Sequence, residues 1–287
     1  MSEITPQVVK TLREKTGAGM ADCKKALVEA NGDMNLAIEI LRKKGAASAA
    51  KRADKSANEG AMLCATTNNG KVAVLVEVNC ETDFVARNAE FDGFVKAVLN
   101  AYLTNDVNDW DGLKSISVDG ETIENKYKDL LTKFSEKIDI QRLEKFTTDG
   151  FFASYVHVGN KLNVIIEVDN GNLNEHAQTL VRDIALQVAA MDPQFVDRSQ
   201  VDNATLEKEV EIYKQQAIDS GKKEEIAEKI ATGRLEKFYG EQCLVEQAFI
   251  KDGNKVVGDV LAEISKEAGA EVKIRRFIRY ILGVSTN

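Results

Sequence analysis

Proline is almost absent, with two residues in a chain of 287, and histidine is equally scarce. Because proline removes a helical donor and clashes with the preceding turn, its scarcity favours long uninterrupted helices. Aromatic residues make up only 6% of the chain, which leaves few platforms on which bases could stack. The four cysteines, Cys23, Cys64, Cys80 and Cys243, form no CxxC pair and have no histidine within a few positions. That pattern argues against structural zinc and against a secreted disulfide framework. No Walker-type phosphate loop and no strand followed by GxGxxG occurs, so no nucleotide cradle or cofactor site is expected. The most apolar strand-like run, Val72 to Val78, is far too short to span a bilayer, and Met1 to Lys10 lacks a basic segment followed by an apolar one. A cytoplasmic protein without membrane contact is expected.

What is present is ordinary for a globular chain: 44% hydrophobic residues, 29% charged, and a net charge of −8. An overall negative field disfavours nonspecific phosphate-backbone or DNA binding. The charge is unevenly spread, however. Up to Lys55, eleven basic residues face seven acidic ones, net +4, and the remainder carries −12.

Residues 1–44 read as three short helices around one small core. Pro6 suits a first helical turn, Gly17-Ala18-Gly19-Met20 breaks the first helix, and Asp22 is a candidate N-cap for the second. Asn31-Gly32 ends the second helix, and Asp33 caps a third whose Leu36, Ala37, Ile40 and Leu41 share a stripe. Residues 45–58 hold small and charged residues without apolar period and read as a linker.

Beyond the linker a repeat appears at an offset of 90. Lys71 to Asn79 matches Lys161 to Asp169 with four identities and four conservative pairs in nine positions. Each copy opens with a strand, turns through Asn68-Asn69-Gly70 or Gly159-Asn160, and returns along the matched strand, which is hairpin grammar. Helices follow, with Phe91, Phe94, Val95, Val98, Leu99 and Tyr102 on one face in the first copy and Leu180, Val181, Ile184, Ala185 and Val188 in the second. An α+β fold is therefore expected, with a duplicated core of antiparallel sheets and helices on one face. The first half of the core spans 59–148 and the second spans 149–200 and 243–287. Between them, 201–242 reads as an inserted helical hairpin of coiled-coil type: Leu206, Val210, Tyr213 and Ala217 go out and Ile226, Ile230 and Phe238 return. Leu244 to Ile250 and Glu271 to Leu282 read as strands around a helix from Gly258 to Ala268.

The copies differ most where strand passes into helix. Copy one runs Asn79-Cys80-Glu81-Thr82-Asp83-Phe84-Val85-Ala86, whereas copy two runs Asp169-Asn170-Gly171-Asn172-Leu173-Asn174-Glu175-His176. Phe84 and Val85 in a polar connection either pack under their own helix or meet a partner. The Gly19-Met20 turn is likewise an interhelical turn or a contact surface, with Arg13 one turn earlier able to pair a carboxylate. His157 lies at a strand end beside Gly159, and His176 starts a helix without a serine, cysteine or carboxylate suggested by local spacing. Lys273 to Tyr280 alternates Lys273, Arg275, Phe277 and Arg279 against Ile274, Arg276, Ile278 and Tyr280, which fits an RNA platform or a basic edge strand.

Taken together, Leu12 to Leu27 and Glu77 to Ala86, with the repeated core and the inserted hairpin, resemble the bacterial translation elongation factor Ts family over nearly the whole chain. The resemblance implies a guanine-nucleotide exchange factor, not an enzyme, acting on elongation factor Tu in its GDP-bound and nucleotide-free states. By the same resemblance the three N-terminal helices are a ubiquitin-associated-like domain that docks through Arg13, Gly19 and Met20. Thr82, Asp83, Phe84 and Val85 would approach Tu's magnesium site, and His157 would add a weaker contact. Family members often carry two methionines where this chain has Met20-Ala21, and a glycine-rich hairpin where it has Val158 to Asn163. A C-terminal helical module found in some members is expected to be missing. For the hairpin, a homodimer contact, a contact with Tu, or neither remains open. The rival readings are an RNA- or protein-binding module and an enzyme using His157. Replacing His157 by Ala should abolish such an enzyme and leave most nucleotide exchange, which a GDP-release assay distinguishes.

Overall fold

The first two helices of the N-terminal unit stop at glycine-bearing turns, and the third starts on an aspartate cap. A computed structural model describes residues 4–284, and α1 (Pro6–Thr16) begins under a Thr5 cap and ends at Gly17 with φ 66°. Next come α2 (Met20–Glu29) and α3 (Met34–Lys51), separated by Asn31 and Gly32 at φ 51° and 85°. Asp33 caps α3 by accepting the Leu36 amide at 3.0 Å. Gly19 rather than Asp22 caps α2; Asp22 sits in the first turn, where its charge favours the helix N-terminus, and pairs with Lys44. Val9, Leu12, Cys23, Leu27, Ala37 and Leu41 form the core, but Leu36 lies outside the expected stripe, 44% exposed.

The expected linker is shorter than the sequence suggested, because α3 continues through Lys51. Alanine-rich Gly45 to Lys51 has the intrinsic propensity to extend a helix, and tertiary contacts secure it. Ala46 and Ala49 pack against the next core, and Gly45 lies so close to the helix over Ile123–Phe134 that a Cβ there would stand 2.7 Å from the Thr132 backbone. One turn earlier Arg42 forks onto Asp129 at 2.6 and 2.7 Å and reaches Glu121 at 2.8 Å.

After β1 (Glu59–Thr66) and β2 (Val72–Cys80) come a single helical turn, α4 (Asp83–Ala86), and α5 (Ala89–Thr104). The short elements α6 (Trp110–Leu113), β3 (Ser117–Val118) and β4 (Glu121–Thr122) lead into α7 (Ile123–Phe134) and β5 (Ile138–Thr147). The second half opens with β6 (Phe151–Val156), β7 (Leu162–Val168) and α8 (Glu175–Met191). It continues through α9 (Asn203–Asp219), α10 (Glu224–Gln242), β8 (Ala248–Phe249), β9 (Asp252–Val256), α11 (Val257–Ala268) and β10 (Ile274–Ile281).

The duplicated strands β2 and β7 are the central members of two antiparallel sheets, ordered β1-β2-β5 and β10-β7-β6. Strand alternation sends Val74, Val76, Val78 and Cys80 toward α5 and α7, and Val164, Ile166 and Val168 toward α8 and α11. The opposite faces meet each other: Met62, Cys64, Ala73 and Leu75 pack on Phe152, Ile165, Tyr280 and Leu282. Helices thus cover one face of each sheet, as expected, and the order of layers is helix, sheet, sheet, helix. Among the described residues no helix is long and apolar enough to cross a membrane.

Three local expectations change. In the hairpin the return helix buries Ala227, Ala231 and Phe238 while Ile226 is 49% exposed, because small residues let α10 approach α9 closely. Leu244 to Ile250 is a 3-10 turn followed by the two-residue β8, which pairs with β9, while the Gln187 side chain bonds Ala248 O at 3.1 Å and Ile250 N at 2.7 Å. In β10 a bulge between Ile274 and Arg276 breaks the alternation, bringing Ile274 to the same core as Phe277 and leaving Ile278 and Tyr280 between the sheets.

Replacing Gly45 by Ala should force α3 off α7, costing about 1–3 kcal/mol of unfolding free energy in denaturant titration.

Candidate partner-docking site

The turn between β2 and α5 presents its apolar residues in opposite directions. Thr82 caps α4: its Oγ1 accepts the Val85 amide at 3.5 Å and donates to Glu136 Oε1 at 2.9 Å, while its own amide donates to Glu136 Oε2 at 3.2 Å. Val85 is buried in the core beneath α5, 5% exposed. Phe84 stands in solvent, 84% exposed, so it does not pack under its own helix. Asp83 beside it is half-exposed and pairs with Arg87 at 3.2 Å. In the second copy the same region forms no helix, and its apolar residue, Leu173, is buried.

The residue before this turn is held more firmly than its sequence suggests. Glu81 accepts a two-pronged bond from Arg52, with Nε at 2.6 Å, and the backbone amide of Lys137 at 2.7 Å. Those donors, the Arg52 guanidinium first, hold the Glu81 carboxyl down at about 2. Sequence reasoning did not find Arg52, Glu81 or Glu136. Arg52 lay in the expected linker, and nothing in local spacing joins it to a carboxylate 29 residues away.

The remaining candidates occupy two other places. Arg13, in the last turn of α1, and Gly19 and Met20, at the start of α2, are all exposed, with Met20 at 44%, while Ala18 between them is buried. Gly17 of that turn packs against the Lys133 side chain, and Lys133 pairs with Glu90 at the start of α5, so the turn sits on the same half as Phe84. His157 belongs to the other half, at the β6–β7 turn, where Nδ1 meets the Tyr155 hydroxyl at 3.0 Å. Val158 beside it is 91% exposed. A groove of about 480 Å³ runs between His157, Leu186, Ile250 and Arg279, and no serine, threonine or cysteine lines it.

All four cysteines are buried, and burial pushes the Cys64 and Cys80 thiols up to about 12. His176, Glu263 and Glu267 lie close enough to share an ion, but His176 already bonds Glu267 at 2.8 Å and Lys255 pairs with Glu263 at 3.1 Å. The basic terminal strand is neutralised: Arg275 and Arg276 both meet Glu167, and Arg279 pairs with Asp192.

Because the folded Glu81 carboxyl titrates well below the ordinary value of about 4.3, its contacts stabilise the fold fully above that value and lose their effect as pH falls toward 2. Glu81→Gln should therefore lower Tm at pH 7, with the difference from wild type closing as thermal melts are taken down to pH 2.

A sequence model of the family described as Elongation factor TS matches residues 81–284. The chain is 47% identical over 288 aligned positions to Elongation factor Ts of Chlorobium phaeobacteroides (strain BS1), covering 99% of this chain and 100% of that protein. It is 48% identical, with the same coverage, to Elongation factor Ts of Prosthecochloris aestuarii. Against Elongation factor Ts of Clostridium kluyveri the identity is 45%, over 98% of this chain and 93% of the relative. With two-thirds of the chain matched by the family and nearly all of it shared with relatives at this identity, the chain belongs to the elongation factor Ts family.

Proposed function

We propose that this chain exchanges guanine nucleotide on elongation factor Tu by inserting the Asp83-Phe84 turn beside the partner's magnesium and phosphate site. As an elongation factor Ts, it is a nucleotide exchange factor of translation elongation, and its action breaks no covalent bond. The observation that carries the site reading is Phe84, 84% exposed on a turn whose neighbour Val85 is buried. An aromatic ring held in water on a rigid base gains free energy on entering an apolar slot, and the carboxylate of Asp83 would arrive with it, competing for the cation or its ligands.

One ring cannot do this alone. A nanomolar nucleotide complex is worth about 12 kcal/mol, whereas burying one phenylalanine supplies roughly 2–3. The three N-terminal helices, read as a ubiquitin-associated-like domain, dock on Tu through Arg13, Gly19 and Met20 in this proposal, with His157 and its turn as a third contact. The α9–α10 hairpin is read as an antiparallel coiled coil whose outward Ile212, Ile218 and Ile226 are what a homodimer would use. Linkage requires that nucleotide weaken factor binding as much as the factor weakens nucleotide binding, so GTP entry releases the factor. The setting is the cytoplasm, the partner Tu bound to GDP or empty. An RNA-binding role finds less support, since the basic side chains of β10 are committed to Glu167, Asp149 and Asp192.

Stopped-flow release of a fluorescent GDP analogue from purified Tu tests this. Wild type should accelerate release, and a folded Asp83→Ala, Phe84→Ala double variant should lose most of the acceleration, about tenfold or more. No acceleration by wild type would end the exchange reading; an unimpaired variant would end the site assignment.

A further inference from the structure

A helix of four residues has no stability of its own, since nucleating a turn orders several residues for very few hydrogen bonds. Yet α4 must keep Phe84 pointing into water, against the ring's tendency to fold back onto the apolar surface beneath α5. Val85 anchors the far side of the turn. On the near side three chain ends converge. The end of α3 supplies Arg52, the end of β2 supplies Glu81 and Thr82, and the segment after α7 supplies Glu136 and Lys137. Arg52 donates to both carboxylate oxygens of Glu81, the Lys137 amide donates to the same carboxylate, and Glu136 accepts both the amide and hydroxyl of Thr82. Lys137 closes the ring through its ammonium, which donates to Ala53 O at 2.8 Å and Lys55 O at 3.3 Å. Every one of these bonds has a charged partner, the stronger kind, and Glu81 is nearly buried, its side chain 12% exposed.

We infer that Arg52 and Glu81 are positioning residues for exchange: their bidentate pair locks the β2–α4 junction and so holds Phe84 in its docking pose. The inference rests on the reading of Phe84 as the docking residue. It gives α3 a second role. The helix that is pinned to α7 by Arg42 is followed directly, at its C-cap, by the residue that sets the Phe84 turn, so the N-terminal helices and the turn are held through one element. Neither Arg52 nor Glu81 needs to touch the partner; both act through the backbone of Thr82.

The test uses full-length protein and two readouts. Hydrogen exchange reports on the turn directly, through the amides of Ala86, Arg87 and Asn88, which bond Thr82 O, Asp83 O and Val85 O. In Arg52→Ala these amides should lose about tenfold in protection while those of α5 stay unchanged. Arg52→Lys, which keeps the charge but not the fork, should recover part of it. In GDP release at saturating factor, Arg52→Ala and Glu81→Gln should each slow the maximal rate severalfold, and the pair together by less than the product of the two, since they share the Arg52–Glu81 interaction. Unchanged protection in Arg52→Ala overturns the proposal, as does lost protection with a full maximal rate while Phe84→Ala is slow. If Phe84→Ala releases GDP at the wild-type rate, the docking reading itself fails and the positioning role falls with it.

Discussion

The face-to-face contact of the two central sheets is the constraint on which the rest depends. Each middle strand, β2 and β7, is buried on both faces, one against its helices and the other against the opposite sheet. A strand covered on both sides cannot slip by one residue without exchanging one packed set for another, so its register is strongly specified. That register in turn decides where β2 ends and therefore where the Phe84 turn begins.

The duplication extends into the polar part of this layer. Glu77 and Glu167, identical residues of the repeat, both lie almost wholly buried on the inter-sheet faces. Glu77 meets Arg142 at 3.3 Å and the Gly283 amide at 2.8 Å; Glu167 meets Arg276 at 2.7 Å and the Thr148 hydroxyl at 2.6 Å. Removing a carboxylate from water is costly, and an arginine with added hydrogen bonds offsets part of that cost; Glu77 Oε2 meets the Arg142 charge without a hydrogen bond among the described residues. Each glutamate takes its arginine from an outer strand of its own sheet, Arg142 from β5 and Arg276 from β10. The pairs therefore tie outer strands to central ones as well as compensating charge.

The copies diverge where function is expected. Copy two spends its connection on burying Leu173 and capping α8 with Asn174, whereas copy one inserts α4 and turns Phe84 outward. Much of this was legible in the sequence. The offset of 90 exposed the repeat, the helical stripes named the buried faces, and the absence of Thr-Asp-Phe-Val from the second copy singled out the segment. The orientation of Phe84 was not legible, because an apolar residue at the foot of a helix reads the same whether it faces the core or water. Arg52 was hidden for a different reason: its partner is distant in the chain, and alanine-rich sequence after Gly45 lacks the apolar period that marks a packed helix.

By itself the sequence determined the local grammar. The cap at Asp33, the stops at Gly17 and Asn31-Gly32, and the turns at Asn68 to Gly70 and Gly159-Asn160 all act over a few residues, within reach of backbone and neighbouring side chains. Tertiary structure alone decided which faces meet. It stacked the two sheets, carried α3 across the expected linker, bulged β10 at Ile274, and gathered Arg52, Glu81 and Glu136 around one turn. Periodicity states that a face must be covered; it does not state by what. That choice belongs to contacts between residues far apart in the chain, whose free energy appears only when the whole core closes.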